Sequence, residues 1–293
     1  MNDRAKSALA SLSRLFQLGR RTRGPQKQRK VRGRGIEFGA HRPYSEGDDL
    51  RHIVWAAYAR SRRLVVREFE DTPEPRVVII VDTTPSMAAG EPPVFSFAQR
   101  LAAGLGALAM GRGAGARLMS WNGKLSGVHR SEAQLGRLLG HAAGLEPNEV
   151  GARLPVDRLC AWPRSHLLLI SDGLDPSILR ALGELRRRHA VALHLIAPNA
   201  ELPEALWARS GEARLELWDA ELSAHVERVI DRDFAAEMAQ RRDRELVTLT
   251  GRLDARSVPW ARLSTGFDPE QSILRLVKGE LGCSALYRRD GFI

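Results

Sequence analysis

From Arg76 onward the apolar positions of the chain switch between two patterns. Short runs such as Val77–Val81, HLLLIS at 166–171 and VALHLIA at 191–197 carry apolar residues at consecutive positions. They predict strands at 76–82, 116–122, 165–171, 190–197, 213–218 and 258–264. Between them, residues 94–111, 131–143, 176–188 and 269–281 have helical spacing, and a long charged helix is expected around 223–250. Strands lacking polar alternation are buried on both faces, as in a mainly parallel sheet with helices on each side. The alternation predicts an open doubly wound α/β domain over residues 76–285, with 286–293 as a tail.

The N-terminal quarter follows other rules. Ala5, Ala8, Leu9, Leu12, Leu15 and Phe16 recur at i, i+3, i+4 and i+7 and predict a helix over 4–18. The next stretch, GRRTRGPQKQRKVRGRG at 19–35, has eight bases and no acid. They are Arg20, Arg21, Arg23, Lys27, Arg29, Lys30, Arg32 and Arg34. Glycine and proline break helices and like charges repel, so a mobile linker is expected there. Residues 1–34 thus read as a basic amphipathic arm and 35–75 as a separate segment packing on the main domain. Within that segment Pro43 and Gly47 mark turns and Asp48 is a candidate N-cap. Leu50, Ile53, Val54 and Ala57 give a helical face, and Leu64–Val66 a short strand.

Charge changes the picture mainly by its location. The 293-residue chain has a formal net charge of +10. Residues 1–36 hold 11 of its 45 Lys and Arg and one of its 35 acids, so the body is neutral. The sequence has no uninterrupted apolar run of about 18 residues and no apolar signal core at its start. Cys160 and Cys283 stand far apart, in neither a metal-spaced pair nor a disulfide framework. A reducing cytoplasmic compartment is expected. For the arm three readings compete: docking of the helix on the body, binding to an anionic membrane surface, and attraction to nucleic acid. The last ranks third, because Phe16 is the arm's one aromatic for stacking.

The chemistry concentrates where two apolar strands end. Val77–Val81 runs into Asp82, Thr84 and Ser86, and Leu167–Ile170 runs into Ser171, Asp172 and Gly173. Ligands of open parallel sheets bind beyond the carboxyl ends of strands, near the reversal of strand order. Asp82, Thr84, Ser86 and Asp172 form a hard-oxygen set suited to Mg²⁺, Mn²⁺ or Ca²⁺. The same residue types also cap helices and brace turns, so a purely structural loop is the competing reading. Neither a G-x-S-x-G elbow nor a phosphate-binding loop is present. Asp48 and Asp49 read as cap and ion-pair groups, and Trp55 as packing. The histidines at 52, 166, 189 and 194 have no ligand spacing, and the charged run at 223–250 reads as a solvated face.

Asp82-x-Thr84-x-Ser86-Met87 with Ser171-Asp172-Gly173 resembles the metal-ion-dependent adhesion site of von Willebrand factor type A domains. Gly35-Ile-Glu-Phe, Arg42-Pro-Tyr-Ser-Glu-Gly-Asp-Asp-Leu-Arg51, Trp55 and Ala59-Arg60 resemble the signature of the domain-of-unknown-function 58 family. The resemblance covers about residues 33–285. It implies an ion held directly by Thr84 and Ser86 and through water by Asp82 and Asp172, with one position open to a partner's carboxylate. The family pattern also has a loop threonine, which 145–154 lacks. Asn148 and Glu149 are the candidate substitutes, and Arg153 a candidate opposing charge. The implied role is a non-enzymatic interaction module working with a MoxR-type AAA+ ATPase in protein maturation, complex assembly or metal-cofactor insertion. Many members carry N-terminal membrane helices, which makes a peripheral hold on the inner membrane of a bacterium a further expectation. A metal-dependent hydrolase is the alternative from a different class.

Overall fold

The computed structural model describes residues 3–22, 31–45, 53–71, 76–90, 93–147, 153–175, 177–197, 211–219 and 224–282. In chain order the elements are α1 (Asp3–Thr22), β1 (Val31–Pro43), α2 (Trp55–Ser61), β2 (Val65–Asp71), β3 (Arg76–Val81), α3 (Val94–Gly111), β4 (Gly115–Ser120), α4 (Leu135–Ala143), α5 (Val156–Cys160), β5 (His166–Ser171), α6 (Ile178–Leu185), β6 (Ala190–Ala197), β7 (Glu212–Asp219), β8 (Ala224–Asp231), α7 (Arg232–Ala255), β9 (Trp260–Ser264) and α8 (Pro269–Lys278). They form two compact units: residues 25–74, and residues 1–24 with 75–293.

In the smaller unit β1 and β2 pair antiparallel, with register shifts between Arg32 and Glu37 and between Phe38 and Ala40. Ile53 bridges Val66, and both are buried. The Val54 amide donates to Val65 O at 2.8 Å. These strand-like bonds hold 53–54 extended, so the helix starts at Trp55 and not near Leu50. It stops at Arg62, which is left-handed at φ 55. Asp48 and Leu50 lie outside the described residues.

The larger unit is a five-stranded, all-parallel sheet in the order β4-β3-β5-β6-β9. The pleat sends Val77, Ile79 and Val81 of β3 to one face, with α1, α3, α4 and α8. Val78 and Ile80 point to the other face, with α5, α6 and Leu253 of α7. From β3 the chain moves one way to β4, then reverses to β5, β6 and β9. A uniform crossover hand puts the helices after the reversal on the opposite face. That separates α3 from α6 and α7 and places the switch point between β3 and β5.

The expected linker at 19–35 is mostly not a linker. α1 continues to Thr22, whose hydroxyl donates to Leu18 O at 2.9 Å, and β1 begins at Val31. Arg20 and Arg21 end α1 with exposed side chains, and Arg32 and Arg34 lie on β1. Arg23, Lys27, Arg29 and Lys30 lie outside the described residues. α1 docks on the main domain through the stripe its sequence marks: Leu12, Leu15 and Phe16 are buried in the α3 layer. Gly19 and Gly111 let the two backbones meet, since a Cβ on Gly111 would collide with Phe16 O. Ser11 and Arg14 grip Glu270 of α8 at 2.6–2.8 Å, which holds that carboxyl below its usual range. The apolar face of α1 is therefore not available to a lipid surface in this structure.

One helix, α3, has the length and hydropathy of a membrane span, and it is buried in the core of this unit. The second difference from expectation concerns 213–250. Residues 212–219 do form a strand, but it pairs antiparallel with β8 and not with the main sheet. The helix begins only at Arg232. Val226, Arg228 and Ile230 alternate with His225, Glu227 and Val229, a period of two that favours a strand. Asp231 then caps α7, accepting from the Phe234 amide at 2.7 Å.

Candidate functional site

β3 and β5 are neighbours on either side of the switch point, and both leave the sheet at the same rim. The register pairs Val81 with Ile170. The Asp82 amide donates to Ile170 O at 2.9 Å. Ser171 and Asp172 thus stand beside Asp82 by strand pairing alone. The four residues expected to share a site come from two adjacent strand ends.

Asp82 is wholly buried, and its carboxylate is satisfied by three donors. Oδ1 accepts from the Thr84 amide at 2.9 Å and the Thr84 hydroxyl at 2.7 Å. Oδ2 accepts from the Ser171 hydroxyl at 2.6 Å. Burial pushes the Asp82 carboxyl above the usual range, the Ser171 and Thr84 bonds pull it back, and Asp175 adds to the rise. Thr84 Oγ1 and Ser86 Oγ lie 3.1 Å apart. A continuous line of oxygens therefore runs from the buried carboxylate to Ser86. Pro85 starts a short 3-10 turn, Pro85–Ala88, that folds Ser86 back toward Thr84.

Ser86 opens onto a cavity of about 480 Å³ that Asp172, Gly173 and Asp175 also line. Asp172 Oδ1 accepts from the Leu174 amide at 3.0 Å, which shapes the loop. Gly173 has φ +80, and a Cβ there would lie 2.7 Å from Leu249 and 2.8 Å from Leu195. Only glycine allows that turn beneath α7. Asp175 is tied by the Trp121 indole at 3.1 Å and by Ser177 at 2.8 Å.

Several of these residues were not marked by the sequence reading. Ser171 sits inside a quoted motif, and its role as a donor to Asp82 follows from register. Asp175 could have been found as the acid of a D-x-S cap before α6. The largest correction concerns α7. Its C-terminal half is not a solvated face: Leu246 and Leu249 cover the cavity, and Arg242, Arg244 and Arg252 line it with Arg262 of β9. Asn148 and Glu149 lie outside the described residues, and Arg153 is exposed. His194 is wholly buried against Leu169 O, and burial holds its pKa down to about 4. His166 is likewise held to about 4 by burial and Arg164.

The donors fit a hard divalent cation in kind. Two hydroxyls stand together, one carboxylate is anchored beneath them with its charge raised in energy by burial, and a second carboxylate faces the same cavity. Among the described residues no cluster of three or more His, Cys, Asp and Glu is present. Soft-metal or carboxylate-bridged chemistry would draw on such a cluster.

No curated protein matches the chain. Two solved structures resemble it. One is the conserved hypothetical protein BatB from Bacteroides thetaiotaomicron, 12% identical, covering 70% of this chain and 98% of that one, with a TM-score of 0.40. The other is an aerotolerance-related membrane protein from Bacteroides fragilis NCTC 9343 with multiple mutations to serines, 10% identical, covering 69% and 97%, with a TM-score of 0.37. The family described as protein of unknown function DUF58 matches residues 40–244, most of the chain, and the protein belongs to that family.

Proposed function

We propose that residues 76–285 form a von Willebrand factor A-like interaction module that engages a protein partner through a divalent cation, most simply Mg²⁺. The observation that carries this reading is the oxygen line Asp82–Thr84–Ser86 beside Asp172 at the switch point of the sheet. Thr84 and Ser86 would hold the ion with their hydroxyls, and Asp82 and Asp172 with their carboxylates; Mn²⁺ and Ca²⁺ share the donor preference. The bound ion would supply an open Lewis-acidic position for a partner's carboxylate. The chain's own residues bury the supporting acid, orient the hydroxyls and shape the adjoining cavity. Recognition suits a site with two hydroxyls and one open position, whereas hydrolysis of phosphoesters commonly uses two bridged metals.

By family resemblance the partner is a MoxR-type AAA+ ATPase, with protein maturation or complex assembly as the task and the cytoplasmic side of the inner membrane as the place. The test is retention of a purified MoxR-type ATPase on the immobilised full chain, in Mg²⁺ and in EDTA. Ser86→Ala and Asp172→Ala remove cavity-facing donors and spare the buried Asp82. The expected result is Mg²⁺-dependent retention that falls at least about 10-fold in either variant, the effect of about 1.4 kcal/mol. Retention that ignores EDTA and both substitutions would discard the site.

A further inference from the structure

The cavity beside the cluster has a chemistry that ion binding alone does not use. Its volume, about 480 Å³, falls in the range of pockets that enclose a ligand. Much of its lining is aliphatic: Ile178 and Leu179 of α6, Leu195 of β6, and Leu246 and Leu249 of α7. Leu174 also lines it and is 60% exposed, a large apolar side chain held in water between Asp172 and Asp175. At the same time Arg242, Arg244 and Arg262 line the space that Ser86 and Asp172 enter. Aliphatic walls and guanidinium groups thus meet within one side chain's reach of the oxygen cluster.

Resting on the cation reading above, we propose that this cavity is an anchor pocket for a partner segment in which an acidic residue is followed directly by a large apolar one. The acid meets the Ser86–Asp172 end, where a cation and the arginines complement its charge. The next side chain, of phenylalanine or leucine size, fills the aliphatic part. An acid alone would leave that aliphatic surface wet. An apolar group alone would leave the arginines and the cation without a counter-charge. Burying one large apolar side chain strengthens binding by about 10- to 100-fold. The pocket therefore sets which acidic segments are accepted, and the cation sets that they be acidic.

The experiment uses the full chain and fluorescein-labelled eight-residue peptides with Gly/Ser flanks around Asp-Phe, Asp-Ala or Asn-Phe, read by anisotropy in Mg²⁺ and in EDTA. In Mg²⁺ the Asp-Phe peptide is expected to bind at least about 10-fold tighter than Asp-Ala. Leu246→Trp fills the cavity from α7, and Leu179→Trp fills it from α6. Each, shown by thermal melting to be folded, is expected to erase the phenylalanine preference and leave Asp-Ala binding unchanged. Equal affinity for Asp-Phe and Asp-Ala overturns the proposal. So does a preference that survives both substitutions, or an absence of Asp-Phe binding in Mg²⁺. If 3-phenylpropionate alone competes as strongly as the Asp-Phe peptide, the occupant is a small acid and the partner-segment proposal falls. The two readings fail differently. A phenylalanine preference with no effect of EDTA removes the cation and keeps the pocket. Mg²⁺-dependent Asp-Ala binding with no gain from phenylalanine removes the pocket and keeps the cation.

Discussion

The two longest helices of the main unit outside α1, α3 and α7, lie on opposite faces of one sheet and are built in opposite ways. α3 has 18 residues, and nearly all are buried between the sheet and α1, α4 and α8. It is apolar all round because every side of it has a neighbour. Its glycines make room: a Cβ at Gly104 would strike Ile273 and Leu15, and one at Gly106 would lie 3.0 Å from Leu138. α7 has 24 residues and buries only Leu253 fully. Its first half is exposed, and its second half lays Leu246 and Leu249 over the cavity. One helix holds the fold together, and the other gives a site its wall. A face that must admit a ligand cannot also be packed to native core density.

That contrast is most sharply broken by paired substitutions. Leu101→Ala in α3 removes a wholly buried side chain and is expected to lower stability by about 3 kcal/mol. Gly111→Ala forces the α1 and α3 backbones apart and is expected to lower it by about 2–3 kcal/mol. The matching changes in α7 are expected to be small and, in one case, opposite in sign. Val247→Ala removes a side chain that is 70% exposed, for a change within about 0.5 kcal/mol. Gly251 has open space around it, so Gly251→Ala is expected to add about 0.5–1 kcal/mol through helix propensity. Urea midpoints measure all four. Equal losses in both helices would erase the distinction.

A smaller effect sharpens the comparison at the rim itself. Burial raises the Asp82 carboxyl in the folded state above its ordinary value of 3.8. The folded chain then holds a proton that the unfolded chain releases, so stability falls as pH rises through that window. The contribution is fully present below 3.8. His194 acts in the other direction. Its pKa is about 4 folded against 6.5 ordinarily, so its contribution is present above 6.5 and is lost as pH falls toward 4. Without divalent ions, Asp82→Asn is expected to melt several degrees above the wild type at pH 7. The gap should close as pH falls toward 3.8. A gap independent of pH would mean that burial of the charge is not what strains the site.

Much of this was legible in the sequence for a simple reason. α3 and β6 span the residues their patterns predict, because a segment buried on all sides writes its boundaries in unbroken apolar residues. Asp82 and Asp172 were legible because such strands stop abruptly at polar atoms. The hairpin of β7 and β8 was not, because its exposed strands carry charges that also suit a helix. Glu216 and His225, 3.0 Å apart across the hairpin, look like any other surface charges until pairing is known. Strand order was equally hidden, since nothing in residues 213–218 says which strand they will join. α7 shows the same limit. Arg242 and Arg262 are far apart in the chain, and only the return of β9 beside β6 brings them to one cavity.

The central claim is that the rim cluster holds a hard cation, and calorimetric titration of the full chain with Mg²⁺ tests it most directly. The expected result is saturable one-to-one binding in the wild type, weakened at least about 10-fold in Ser86→Ala and in Asp172→Ala, each folded by circular dichroism. No heat in the wild type, or equal binding in all three proteins, would contradict it.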